Sequence, residues 1–276
     1  MATPLTDSIN ALTTYANEVT GGSDTNLSDA VHTLASGYGQ GGGGASYDGI
    51  EVVYDSNGKV TDYVCHMENI PLFALNYVQY SRQLSDGVAE ISFSTKPTHI
   101  GKGAFQNAKC QIDFSNLDEL MYLGEAAFQS FRSSGYDGSS DVVNLPKFVG
   151  YYNDTYSAAS VFRASSNNNA YTPKIYNLPV CTVIPQYAWY QCGGSGWDVT
   201  IGSIGHAVTE SRQQPFGGNT GITGTCTIYT TGDKVGTLKY AVRNGAGAGL
   251  VFVFKASEAT TYGGNSYAAG ATMLTA

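Results

Sequence analysis

A six-residue unit returns along the chain and limits what it can fold into. Ile100-Gly101-Lys102-Gly103-Ala104-Phe105 comes back as Leu123-Gly124-Glu125-Ala126-Ala127-Phe128 and, altered, as Ile184-Pro185-Gln186-Tyr187-Ala188-Trp189. Each copy is an aliphatic residue, a Gly or Pro, two variable positions, then Ala and an aromatic. Ile70-Pro71-Leu72-Phe73-Ala74-Leu75 fits with Leu75 in the aromatic place, and Phe162 and Phe216 end two weaker copies. The key positions are 75, 105, 128, 162, 189 and 216, at spacings of 30, 23, 34, 27 and 27 residues. Short apolar runs follow most of them: Ile91 with Phe93, Ile112 with Phe114, Val142-Val143 before Leu145-Pro146, Ile175 with Leu178, Val199 with Ile201, and Thr227-Ile228-Tyr229. One tight apolar turn plus one short strand cannot bury its own hydrophobic side, so such units must stack. The sequence predicts a mainly β solenoid of about six irregular coils, running from about residue 70 to 230.

These residues resemble the BspA-like (Treponema-type) leucine-rich repeat, whose unit runs strand, Ile-Pro, a turn with Ile-Gly-x-x-Ala-Phe, then Cys. Ile100 to Cys110 carries that pattern almost whole, Leu123 to Phe128 lacks the Cys, and Ile184 to Cys192 has Pro for Gly and Trp for Phe. The resemblance implies β-rich coils around a ladder of apolar side chains, with Cys110 and Cys192 as buried packing thiols. It implies a binding scaffold more often than an enzyme.

Ahead of the repeats, Thr6-Asp7 caps a helical pattern of Ile9, Leu12, Ala16 and Val19, and Ser23 or Asp24 caps a second with Leu27, Ala30, Val31 and Leu34. Residues 1–38 therefore read as a short α-helical hairpin. Its apolar stripe, which includes Leu5 and Tyr15, is too narrow to form a core and needs a partner. Gly39-Gln40-Gly41-Gly42-Gly43-Gly44 matches G-x-G-x-x-G only formally, because it follows a helix and opens none. Residues 39–46 are better read as a flexible linker, leaving 47–276 as the body.

Asp55-Ser56-Asn57-Gly58 lies between Ile50–Tyr54 and Lys59–Val64, and Asn-Gly between alternating strands predicts a hairpin that caps the first coil. Tyr151 to Ala170, rich in Tyr and Asn, interrupts the repeats, and solenoid insertions gather on one face, often the binding face. Gly193 to Gly205, with Trp197, is read as a second such loop. Leu238, Ala241 and Val242 predict a short helix, and Leu250–Phe254 a strand, together forming a C-terminal cap. The small, polar tail from Ser257 is expected to be loosely held or docked on a neighbour.

Chemistry is sparse. Five Cys (65, 110, 181, 192 and 226) form no CxxC pair and leave one over, which argues against a disulfide framework or a zinc site. The four His (32, 66, 99 and 206) show no ligand spacing, and His99 reads as a satisfied loop histidine. Gly193-Gly194-Ser195-Gly196-Trp197 does not complete a nucleophile elbow. Asp113, Asp118 and Glu119 are the one close carboxylate cluster of the repeats, and they read as an exposed turn rather than a glycan-cleaving pair. No cofactor or metal is expected.

A net charge of −8, with only 14 scattered basic residues, argues against a nucleic-acid partner, whose phosphates need clustered Lys and Arg. No apolar run approaches the roughly 20 residues needed to span a bilayer. With charged residues at 13 % and 20 Tyr, the surface must rely on Ser, Thr, Asn, Gly and Tyr, a mixture suited to adaptable contacts. Met-Ala-Thr-Pro opens no Sec signal peptide, and a protein carried outside as part of a phage particle needs none.

The function expected is a non-enzymatic phage virion protein, such as a fibre, decoration or tail-tip component. Leu5, Ile9, Leu12, Tyr15, Val19, Leu27, Val31 and Leu34 would attach it to capsid or tail proteins and bundle sister chains, as a homotrimer. Tyr151, Tyr152, Tyr156, Asn167, Asn168 and Trp197 would face a host-surface glycan or protein. A BspA-type bacterial surface adhesin is the alternative, and a glycan-cleaving virion enzyme the third.

Overall fold

The computed structural model describes residues 49–75, 90–108, 111–131, 142–164, 173–202, 205–210, 214–219 and 221–276. The predicted helical hairpin with its eight attachment residues, the Gly linker, Cys110, Asn167 and Asn168 lie outside the described residues. The body is mainly β, a solenoid of about six turns, and holds one α-helix among the described residues.

The Asn-Gly hairpin forms as expected. β1 (Ile50–Tyr54) and β2 (Val60–Cys65) pair antiparallel, and the Asp55 carboxylate accepts from the Asn57 and Lys59 amides at 2.8 and 2.9 Å. Each coil beyond it has three sides. The first side is a parallel sheet, begun by β2, β4 (Glu90–Phe93) and β6 (Gln111–Ile112). It resumes with β8 (Val142–Asn144), β9 (Ile175–Leu178), β10 (Trp197–Ile201), β11 (Thr223–Thr230) and β12 (Gly249–Ala256). The break falls where Asp113 caps a 3-10 turn, Phe114–Asn116, so the strand expected to carry Ile112 and Phe114 together stops after Ile112.

The second side is a narrow parallel row of β3 (Asn69–Ile70), β5 (His99–Ile100) and β7 (Tyr122–Leu123). It continues by single hydrogen bonds, Val149 N to Met121 O and Thr182 N to Val149 O. The third side is the repeated turn. Leu75 N donates to Ala104 O, Phe105 N to Ala127 O, Phe128 N to Val161 O, Phe162 N to Ala188 O and Trp189 N to Pro215 O, all between 2.7 and 2.9 Å. The six key positions therefore lie one above another.

Their side chains form the core's spine. Phe105 stacks on Phe128 at 5.3 Å between ring centres, Phe128 on Phe162 at 5.5 Å, Phe162 on Trp189 at 6.3 Å and Trp189 on Phe216 at 4.8 Å, with planes within 16° of parallel. Offset stacking is favourable for aromatic quadrupoles, beyond the area buried. Phe252 of β12 closes the stack edge-on to Phe216. Two residues before each rung the backbone turns left-handed, at Phe73, Gly103, Ala126, Ser160, Tyr187 and Gln214 (φ +36° to +61°). Only one of these is glycine, so stacking holds five other residues in a conformation that costs about 1 kcal/mol or more each.

Two expectations change at the C-terminal half. In β9 the inward residues are Tyr176 and Leu178, not Ile175 and Leu178, because a strand alternates with period two. The tail is not loose. After the expected helix α1 (Val235–Arg243) and β12, a hairpin of β13 (Thr260–Tyr262) and β14 (Asn265–Tyr267) turns at Gly263-Gly264. β15 (Thr272–Thr275) then pairs antiparallel with β12 and buries Met273. It covers what would otherwise be a bare sheet edge.

Candidate functional site

The narrow β3-β5-β7 row sets the site. Its strands are two residues long, so Ile70, Ile100 and Leu123 point inward while Asn69, His99 and Tyr122 point out. Parallel register puts Asn69 beside His99 and His99 beside Tyr122. The imidazole and phenol rings of the last two stand 4.7 Å apart, tilted by 49°. Thr98 Oγ1 lies 2.8 Å from His99 Nδ1 and fixes that ring's inner edge.

The Tyr-rich insertion folds back over this pair. It leaves the coil at Gly150, where φ is +88° and a Cβ would come within 2.2 Å of the Val183 carbonyl oxygen. It re-enters at buried Ala158, whose amide donates to Leu123 O. Asn153 closes the loop on itself, its side-chain oxygen accepting from the Thr155 and Tyr156 amides at 3.0 Å each. Tyr152 N donates to Tyr156 O at 3.1 Å. Asx-type closure of this kind is what Asn does in loops.

Closed this way, the loop sets Tyr152 4.2 Å from Tyr122, tilted by 33°, and Tyr156 5.2 Å from His99, nearly edge-on. Tyr156 also lies 6.0 Å from Tyr122. Tyr122 is thus the hub of a four-ring shelf, and Tyr152, 55 % exposed, is its outer lip. The Tyr151 hydroxyl donates instead to Asp154, at 3.3 Å.

Of the expected recognition residues, Tyr152 and Tyr156 meet on the shelf and Tyr151 lies beside it. Trp197 is a correction. It opens β10, is 2 % exposed, and packs against Tyr176 and Phe216, so it offers no surface. Gly193-Gly194-Ser195-Gly196 precedes the strand, and Trp197 is its first inward residue. His99 and Tyr122 had no place in the expected site. The available signal was their position, immediately before the aliphatic residue of two clear repeat units.

Lys96 reaches Asp118 at 2.6 Å and holds its carboxyl below the ordinary range, while Lys147 pairs with Glu119 and Lys102 with Glu125. These pairs run from coil to coil. Asp113 accepts from the Ser115 amide and hydroxyl. Glu90 is raised by burial first, then by the nearby Asp113 and Asp62. Cys65, Cys181, Cys192 and Cys226 are all buried. Burial pushes Cys65 and Cys181 up to about 12 and raises Cys226 as well, and Cys192 Sγ lies 3.1 Å from Phe162 O. Among the described residues no group of three or more His, Cys, Asp or Glu could hold a metal, and no helix is long and apolar enough to cross a membrane.

Fold and surface together define a β-solenoid carrying an exposed aromatic shelf. Comparison with known families, curated proteins and solved structures finds no match for the chain.

Proposed function

We propose that this chain is a non-enzymatic virion protein of a phage, attached through its N-terminal segment and displaying the solenoid outward to contact the host surface. The observation that carries the reading is the shelf: four aromatic rings from two coils and one loop, held at a solenoid's side, with the outermost more than half exposed. Apolar side chains clustered at a surface mark contact sites where scattered single ones do not, and Tyr in particular gives contact area at low entropic cost.

The repeat is read as BspA-like. The Ile-Gly or Ile-Pro turn, the inward aromatic and the buried thiol at Cys192 support that assignment. In this reading Leu5, Ile9, Leu12, Tyr15, Val19, Leu27, Val31 and Leu34 form the attachment and trimerisation surface, and the particle is the chain's location. Removing residues 1–44 tests it. The truncated chain is expected to be soluble and folded yet missing from purified particles, and a truncated chain that still copurifies with them would refute the attachment role.

A further inference from the structure

We infer that the shelf centred on Tyr122 is a carbohydrate subsite that takes the C–H face of an uncharged pyranose, with His99 and Asn69 supplying polar contacts at its edge. The inference rests on the display reading and adds the ligand's chemical class and two residues outside the Tyr-rich loop.

Three observations argue for a small, neutral ring. The first is openness. A protein partner anchors best where aromatics sit in pockets that become fully dry, whereas Tyr152 lies on top of Tyr122 and presents a free outer surface. A flat ring of matching size fits such a ledge. The second is charge. Among the described residues the four rings make no ion pair, and the carboxylate nearest in sequence, Asp154, already accepts from the Tyr151 hydroxyl. A chain of net charge −8 repels sialylated or uronate sugars unless cations face them, and neither the loop 150–158 nor β3, β5 or β7 contains a Lys or Arg.

The third is the polar edge. Thr98 engages His99 Nδ1, so a ligand hydroxyl would meet the ring at Nε2. Asn69 stands exposed next to His99 in register, with both amide donor and acceptor. Apolar faces ringed by neutral donors and acceptors suit a sugar, whose axial hydrogens form an apolar face and whose equatorial hydroxyls project around the rim.

The test uses the full chain on an array of neutral oligosaccharides, built from hexoses and N-acetylhexosamines, beside sialylated and uronate-containing ones. Calorimetric titration of the best binder follows. Binding confined to neutral members is expected. Tyr152→Ala should weaken it about three- to tenfold, the range of one aromatic contact, while Tyr152→Phe, which keeps the ring, should change it less than twofold. Asn69→Ala, exposed and outside the core, should also weaken it without altering the thermal unfolding curve. Preference for acidic sugars, absence of any neutral binder, or unchanged affinity in Tyr152→Ala would overturn the subsite. Particle incorporation read in parallel separates the two claims: a chain that joins particles and adsorbs to cells but ignores neutral sugars loses only the ligand class.

Discussion

At the scale of single residues, the second position of the repeat has a steric reason. A Cβ on Gly124 would sit 2.3 Å from the Lys102 amide nitrogen and 2.7 Å from the Gly101 carbonyl carbon, and one on Gly101 would meet the Leu72 amide nitrogen at 2.6 Å and the Pro71 carbonyl carbon at 2.7 Å. Consecutive coils touch backbone to backbone there. Gly124→Ala should therefore destabilise the body by about 1–3 kcal/mol, the cost of overpacking against atoms that cannot rotate away, measured as a drop in the denaturation midpoint. Stability unchanged to within about 0.3 kcal/mol would mean the coils are not in contact at this point. The alternation of Gly and Pro at this position was legible in the sequence. The left-handed turn residues were not, because Phe73, Ala126, Ser160, Tyr187 and Gln214 share no side-chain type that announces a positive φ. Trp197 was misread for a related reason: the Gly-Gly-Ser-Gly before it carries a turn signal, and composition alone does not say where a turn ends and a strand begins.

At the scale of elements, the ladder of turns follows the six positions of the repeat, and five of them carry the stacked rings. Uneven spacings of 23 to 34 residues did not obscure it, since insertions leave through loops while the turn keeps its own register. A double-mutant cycle isolates the stacking. Phe128→Leu with Phe162→Leu should show a coupling of about 0.5–1.5 kcal/mol, whereas Phe105→Leu with Phe216→Leu, four rungs apart, should be additive. Additivity in both pairs would remove the stack from the account of stability. The tail and the shelf were harder to read. β13, β14 and β15 contain mostly Thr, Ser, Asn and Tyr, so no alternation of apolar and polar residues marked them, although Gly263-Gly264 carried a hairpin signal. His99 and Tyr122 meet only because β5 and β7 pair in register, and pairing across 23 residues cannot be read from either strand alone. The Tyr-rich loop was visible; the floor it rests on was not.

At the scale of the whole molecule, the exposed shelf and the buried spine occupy different sides of the same coil. The aromatic spine runs under the turns, while the narrow outward row and its loop carry the exposed rings. Changes on the shelf should therefore alter binding with little effect on folding, and changes in the spine should do the reverse. The most direct test is competition for host adsorption. Purified chain, added in excess, should block attachment of particles to cells, and the triple variant Tyr151→Ala, Tyr152→Ala, Tyr156→Ala, folded to the same thermal midpoint, should not. Equal blocking by both proteins would place host contact elsewhere on the molecule, and no blocking by the unmodified chain would contradict outward display for attachment.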